Sequence, residues 1–521
     1  MISIRTLHHF QSLLFRFLSF IFNIFKKLHD SYTHHVKFNT REYQTNGSFE
    51  SVHYEYTGNN TSGWTILRNG KKFVKLGTGF TLVKTVYCGI CSTDLFRKHL
   101  PYPLPQIIGH EVVGVIDNIP VVSEINASHL ARNDHPDKCP YCKGGMHIHC
   151  PDRLTLGINK LPGGFSPFFL APVAAISEVP QEIGIKTACI VEPFAAALHA
   201  ITITPPGNGD FVAILGPRRL GMLVIAALSC FRRQYGLHFT ICGIVRHKHL
   251  EELCLLLGAD TVINICDVAK TNLQQQFDIV FDTTGNPDGF ELSLYLTRHI
   301  VHLKSTHGNK VMGMKHLSDM VVDEIALLPY KDTHLKFTWL TEKEKRKNSN
   351  IYVSPAVSDD FIIHAREVHP NAAFHRLSID KAKEMIINDS DFFENSPVPR
   401  FDLAIVTNLD EADSVIRPVP SEEFSLIRPR GAILLADTNA VIQESLFSKA
   451  LLERGVEIHT SRCGDFKLAL DMLQANPEMT KTLEEKFITH CFLLEDIDKA
   501  FMIAKDSEQS IKVVIKINQD A

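Results

Sequence analysis

Residues 88–116 read CGICSTDLFRKHLPYPLPQIIGHEVVGVI. This one stretch holds a thiol at Cys91, an imidazole at His110 and a carboxylate at Glu111. Those are the ligand types of a catalytic zinc site, which uses about three protein groups and leaves one position open. A second acid, Glu192, stands farther on in 190-IVEPFAAALHA. Each pattern alone describes packing as readily as ligation, so their order along the chain has to carry the argument.

On either side of this stretch the texture of the sequence differs. Residues 41–80 are polar and rich in Gly, Asn, Thr and Tyr, with alternating runs such as 72-KFVKLG, and 80-FTLVKTVY follows, the pattern of strands and turns. From about residue 205 short apolar runs alternate with helix-sized segments: Phe211–Leu215, Phe239–Val245, Thr261–Ile265, Phe277–Phe281 and Ile300–Leu303. Strands alternating with helices imply βαβ units and a parallel sheet. Residues 331–400 are polar and charged, as in 341-TEKEKRKNSN, and weakly periodic. A further strand–helix–strand unit follows from Phe401–Val406 to Ala432–Ala436, and its 401-FDLAIVTNLD faintly echoes 277-FDIVFDTTGN.

Composition narrows the function classes. The 521 residues carry 54 Lys and Arg against 58 Asp and Glu, a formal charge of −4, which argues against a nucleic-acid binder. With 45% hydrophobic residues the chain can build buried cores, so a disordered protein is excluded. Twelve cysteines are too sparse for a disulfide scaffold. Residues 1–29 carry Arg5, Arg16, Lys26 and Lys27, six phenylalanines and no acid. Ser12, Arg16, Ser19, Asn23 and Lys26 draw one polar stripe, which predicts an amphipathic helix, not a span. Membrane-surface contact through residues 10–28 is therefore expected, or else a targeting role or a packed helix, and the location is left open between cytoplasm and mitochondrion.

After the strand Phe211–Leu215 comes 216-GPRRLG and a helical run. Gly216 and Gly221 fit the outer positions of the dinucleotide fingerprint G-x-G-x-x-G, while Arg218 replaces its middle glycine. Arg218 either crowds the pyrophosphate or adds a cation to hold it. The next strand ends at 243-GIVRHKH without the acid that NAD binders use on the ribose. Arg246, His247 and Lys248 offer charge for a 2′-phosphate instead, so NADP(H) is expected over NAD(H).

In this order, 91-CSTD, 109-GHEVVG and 192-EPFAAALHA resemble the zinc-containing medium-chain alcohol dehydrogenase family. The resemblance covers roughly residues 75–330 and 441–518, and not 1–40 or 331–440. It implies an α/β protein with a GroES-like β-rich catalytic domain and a Rossmann domain, a doubly wound parallel sheet. It also implies a catalytic zinc on Cys91, His110 and Glu192 or Glu111, with Thr93 passing the alcohol proton and Asp94 orienting His110. The segment 277-FDIVFDTTGNPDG, with Thr284, falls where the family's chain passes the nicotinamide. The family's structural zinc lobe spaces four cysteines C-x2-C-x2-C-x7-C. Here Cys139, Cys142 and Cys150 fill three positions and Pro136 stands at the first. His135, Asp137, His147 or His149 is the candidate fourth ligand, against a lobe that folds without metal.

The domains expected are an extension (1–40), the catalytic domain (41–204), the Rossmann domain (205–470, interrupted at 331–440) and a return to the catalytic domain (471–521). The function expected is hydride transfer between a nicotinamide and a small alcohol or polyol, or its aldehyde or ketone, in a homo-oligomer. The alternatives are an inactive dehydrogenase-like binding protein and a zinc-independent quinone reductase.

Overall fold

Alternation of side chains builds the first sheet. Along Phe49–Asn59, Val52, Tyr54 and Tyr56 are buried while Ser51, His53 and Glu55 turn outward. This strand joins His34–Tyr43, Gly63–Arg68 and Lys71–Leu76 in a four-stranded antiparallel meander. Residues 34–40, expected in the N-terminal extension, are thus part of its first strand. The structure is a computed structural model that describes residues 32–270, 272–304, 314–336, 349–388, 398–417, 425–436 and 445–518. The phenylalanine-rich stretch 1–29 lies outside the described residues, as does the membrane contact expected of it. Among the described residues no helix is long and apolar enough to cross a membrane.

The meander shares one core with a seven-stranded sheet, Tyr54, Tyr56 and Trp64 packing with Phe80, Phe165 and Phe169. At its centre Phe80–Gly89 pairs antiparallel with Glu111–Ile116, Phe168–Pro172 and Lys512–Lys516. The last of these brings the C-terminal segment back to the β domain, with Ile488–Leu493 parallel beside it.

The largest sheet has eleven strands. Its first six are parallel, in the spatial order Thr261–Asn264, Thr240–Val245, Phe211–Leu215, Phe277–Asp282, Thr297–Leu303 and Glu457–Thr460. That is the doubly wound order, with its reversal between Phe211–Leu215 and Phe277–Asp282. The strands are near-continuous apolar runs because both faces are covered. The helix Arg219–Tyr235 covers one face and stops at Gly236, whose φ of 62° is a left-handed cap.

The expected 331–440 insertion extends this sheet, starting earlier, at Ala326. Five mutually parallel strands follow in the order Ala326–Pro329, Ile427–Leu435, Phe401–Val406, Ser349–Val353 and Ala372–Arg376. They meet the first six at one antiparallel contact, Leu327 opposite Ile458. The chain again winds outward from one strand, Ser349–Val353, then reverses to Phe401–Val406 on its other side.

The faint echo between 277-FDIVFDTTGN and 401-FDLAIVTNLD maps onto equivalent strands of the two halves. Asp278 Oδ2 accepts from the Phe211 amide at 2.8 Å, and Asp402 Oδ2 accepts from the Asn350 amide at 2.9 Å. Each aspartate faces an arginine on the next strand: Arg298 at 3.4 Å and Arg428 at 2.8 Å. Each strand leads into a helix capped by an asparagine, Asn286 or Asn408. The crevices differ. In the second half the Glu411 carboxylate accepts from Ser354 Oγ at 2.8 Å and from the Thr407 amide at 2.8 Å, and so lies between the carboxyl ends of the two reversal strands.

Arg428 and Asp402 are each 1% exposed at the side chain, whereas Arg298 is 42% exposed. Removing one partner of a buried pair strands the other charge and costs about 3–5 kcal/mol. Asp402→Ala should therefore lower unfolding free energy in urea by that amount, and Asp278→Ala by clearly less. Equal losses would show that the buried pair does not anchor the second half.

Candidate metal and nucleotide site

Cys91 caps the short helix Ser92–Leu95, where its amide donates to Asp94 Oδ2 at 2.9 Å. The buried Asp94 carboxylate also accepts from the Gly109 amide at 3.2 Å and stands 3.6 Å from His110 Nδ1. One carboxylate thus ties the thiol-bearing turn to the histidine-bearing strand. The Cys91 thiol lies close enough to act on the His110 imidazole, and His110 Nδ1 is buried with no hydrogen-bond partner. Burial opposes the imidazolium, but Asp94 and Cys91 outweigh it and hold His110 well above its ordinary value. Thr93 Oγ1 lies 3.8 Å from Cys91 Sγ.

Glu192 sits in the first turn of the helix Val191–Ile203 and makes no ion pair among the described residues. Burial raises it above the ordinary carboxylate range, while nearby His110 pulls it down. Glu111 points elsewhere. It forms an ion pair with Lys512, whose Nζ also donates to the Ile90 carbonyl at 3.2 Å; the Glu111 and Lys512 side chains are 1% and 2% exposed. Glu111, expected beside His110 as a candidate ligand, is here the partner of a buried lysine, a residue that no motif names. Cys91, His110 and Glu192 supply sulfur, nitrogen and oxygen donors, and Asp94 beside His110 Nδ1 leaves the other ring nitrogen on the Cys91 side for a metal. That set fits zinc.

The cysteine lobe gathers its ligands more tightly. His129, Cys139, Cys142 and Cys150 place one ligand atom each within 4.8 Å of the others. His129 Nδ1 is 3.2 Å from Cys150 Sγ, and Cys139 Sγ is 3.8 Å from it. Burial pushes the Cys150 thiol up to about 12, a cost that a divalent cation would offset. None of the four residues expected to complete the set does so. His135 and Asp137 are exposed. His147 faces Glu124 at 3.9 Å, and His149 faces Glu324 at 3.6 Å. His129 was missed because it precedes the motif. The short helix His129–Arg132, capped by Ser128, folds it back onto Cys150.

On the nucleotide side, Gly216 has φ 74°, and a Cβ there would stand 2.8 Å from Thr284 Cγ2. A Cβ on Gly221 would stand 2.5 Å from Thr283 Oγ1. Both glycines are required for the turn to close on the next strand. Thr284 Oγ1 donates to Asp282 Oδ1 at 2.6 Å, and burial raises Asp282 to about 6. Arg218 reaches the Ala504 carbonyl at 3.4 Å. Its neighbour Arg219, unremarked in the sequence, clasps the β domain through the Ala504 and Ile511 carbonyls and Ser92 Oγ. Arg246 and Lys248 are exposed, while His247 pairs with Glu508 at 2.9 Å.

An alcohol dehydrogenase GroES-like domain matches residues 77–181. Over 244 residues the chain is 27% identical to an L-threonine 3-dehydrogenase of Pectobacterium atrosepticum, a match over 43% of this chain and 65% of that protein. It thus spans just under two thirds of that relative's length. Over 220 residues it is 30% identical to a sorbitol dehydrogenase of Halalkalibacterium halodurans, covering 39% of this chain and 62% of that protein. The L-idonate 5-dehydrogenase structure of Escherichia coli shares the fold, with TM-score 0.51 at 14% identity over 93% of this chain and 100% of that one.

The lobe geometry sets an expected outcome. His129→Ala should lower the zinc bound per purified chain, measured by elemental analysis, while His135→Ala and His147→Ala leave it unchanged. Full zinc retention in the His129 variant would remove His129 from the ligand set.

Proposed function

We propose that the chain acts as a zinc-type medium-chain alcohol dehydrogenase, the family its domain match and relatives resemble, oxidising an alcohol or polyol, or reducing the matching carbonyl, with a nicotinamide cofactor. The observation that carries this reading is the Asp94 carboxylate tying the Cys91 turn to the His110 strand, with the carboxylate of Glu192 coupled to His110 by charge. The relatives' dehydrogenase activities support an enzyme over an inactive scaffold or a zinc-independent quinone reductase.

Cys91, His110 and Glu192 would hold the catalytic zinc, and Cys139, Cys142, Cys150 and His129 a second one. Bound there, the catalytic zinc supplies a Lewis acid for the substrate oxygen, and the cofactor supplies the hydride chemistry. Asp94 fixes the orientation of His110, as imidazole ligands require. Thr93 takes the substrate hydroxyl proton at Oγ1 and passes its own into the crevice. Lys512 neutralises Glu111, so the cluster does not gain a second free acid.

Gly216 and Gly221 let the backbone approach the pyrophosphate at the start of the Arg219–Tyr235 helix. Arg218 and Arg219 are turned toward the β domain, which supports a bridging use over a crowding one. Arg246, with Lys248 beside it, is the cation set for a 2′-phosphate, and this supports NADP(H) over NAD(H). A homo-oligomer and surface contact with a membrane through residues 10–28 belong to the same reading and rest on the sequence alone.

Cys91→Ala should remove one zinc per chain and lower turnover of sorbitol or L-threonine, whichever the wild type accepts, by at least about 10³-fold, the several kcal/mol a Lewis acid contributes. Retained zinc and turnover would refute the metal assignment. In fluorescence titrations NADPH should bind more tightly than NADH. Arg246→Ala should erase about tenfold of that preference, or about 1.4 kcal/mol. Equal binding of both cofactors by the wild type would return the site to NAD(H).

A further inference from the structure

A continuous line of polar side chains runs through the otherwise apolar seam between the helix Val191–Ile203, the end strands of the first half and the start of the second. Lys304 follows the strand Thr297–Leu303, at the carboxyl edge of the sheet where a doubly wound fold keeps its ligand crevice. Its Nζ donates to Ser461 Oγ at 2.9 Å. Ser461 Oγ lies 2.8 Å from His302 Nε2, and His302 Nδ1 lies 2.7 Å from Thr204 Oγ1. Thr204 Oγ1 is 2.8 Å from His459 Nδ1, and His459 Nε2 is 3.2 Å from Glu457 Oε2. Lys304, Ser461, His302 and Thr204 are buried, and His459 and Glu457 reach solvent in part.

The donors and acceptors are consistent in one direction from end to end. Lys304 donates to Ser461, and the Ser461 hydroxyl donates to His302 Nε2. His302 Nδ1–H donates to Thr204, and the Thr204 hydroxyl donates to His459 Nδ1. His459 Nε2–H then faces the Glu457 carboxylate. A single tautomer of each histidine satisfies every bond, His302 as Nδ1–H and His459 as Nε2–H. Each hydroxyl and imidazole accepts on one side and donates on the other, which is the requirement for passing a proton without moving an atom far.

From this geometry we infer that Lys304, Ser461, His302, Thr204 and His459 form a proton relay between the ligand crevice and solvent, with Glu457 at its outer end. Oxidation of an alcohol to a carbonyl leaves one proton beyond the transferred hydride, and the reverse reaction consumes one. In the outward direction the Lys304 ammonium gives a proton to Ser461 and becomes neutral. Ser461, His302 and Thr204 each gain one proton and lose one, and His459 gains one at Nδ1. The resulting imidazolium stands against Glu457 and releases its Nε2 proton to water, and Lys304 is recharged from the crevice. The inference rests on the dehydrogenase reading for its proton source, and not for the path.

The electrostatics suit the task. Burial lowers Lys304 to about 8, so both its forms are accessible near neutral pH. Glu324, Cys463, Glu192 and Arg462 are the charged or ionisable groups that act on it. Burial, with Lys304 and His459 beside it, holds His302 far below its ordinary value, so it passes a proton without storing one. Burial opposes the Glu457 carboxylate, but His334, His459 and Lys331 outweigh it and keep it ionised. Lys331 Nζ is 2.8 Å from it and His334 is 3.3 Å away, so the second half of the large sheet builds the outer mouth.

Thr204→Val tests the path because it replaces one hydroxyl by a methyl of similar size and severs two links. It should lower kcat by about 10²-fold, the scale of a lost acid–base step, and raise the solvent deuterium effect. Added imidazole should restore part of the rate, and Thr204→Ser should behave as wild type. A Val variant with unchanged solvent effect and no imidazole rescue would make the line a structural clamp and overturn the relay. If the wild type oxidises no alcohol, the function reading fails, and nitrogen-15 NMR of the histidines still decides the path. His302 as Nδ1–H and His459 as Nε2–H support it, and any other tautomer pair breaks the sequence of donors and refutes it.

Discussion

Two opposite charges kept out of water hold the β domain in its working shape. Glu111 follows His110 directly, and Lys512 lies hundreds of residues later on the returning strand. Neither can lose the other cheaply, because a single buried charge left alone costs several kcal/mol. The pair therefore pins the strand Lys512–Lys516 against Phe80–Gly89 and the Cys91 turn after it. Arg219 builds on the same anchorage, since the Ile511 carbonyl it grips is held in place by that strand. The Cys91 turn, the returning segment and the helix Arg219–Tyr235 are thus positioned through one charge-paired seam.

The large sheet shows how a second unit can be added without a second core boundary. Its outer five strands repeat the winding of the inner ones and meet them at Leu327 and Ile458, where direction reverses. The repeated anchor is an aspartate that ties its own strand to its neighbour, at Asp278 and again at Asp402. In the outer unit the anchor is fully buried and matched by Arg428, which has further bonds to the Pro429 and Arg430 carbonyls.

What the sequence revealed, and what it withheld, follows from how local each signal is. Gly216 and Gly221 were legible because a close backbone approach demands glycine at a fixed offset, and Cys91 and His110 because their motifs place them on neighbouring turns that Asp94 joins. The parallel strands of the first half were legible as short apolar runs. Strands such as Ser349–Val353 and Ala372–Arg376 were not, since they are short, partly polar and separated by charged helices. Lys512, Arg219 and His129 were hidden for another reason: each acquires its role from a partner brought close only by the tertiary fold. The ion pair that engages Glu111 was equally hidden, since Lys512 comes from the far end of the chain.

The Glu411 carboxylate in the outer crevice carries a consequence for that crevice. An empty crevice at that reversal point would offer hydroxyl and amide donors to an incoming phosphate. Instead Ser354 and Thr407 already spend those donors on an anion from the chain itself. The outer unit is built like a nucleotide domain yet keeps its own tenant. Among the described residues the outer crevice thus has its hydroxyl and amide donors engaged from within the chain.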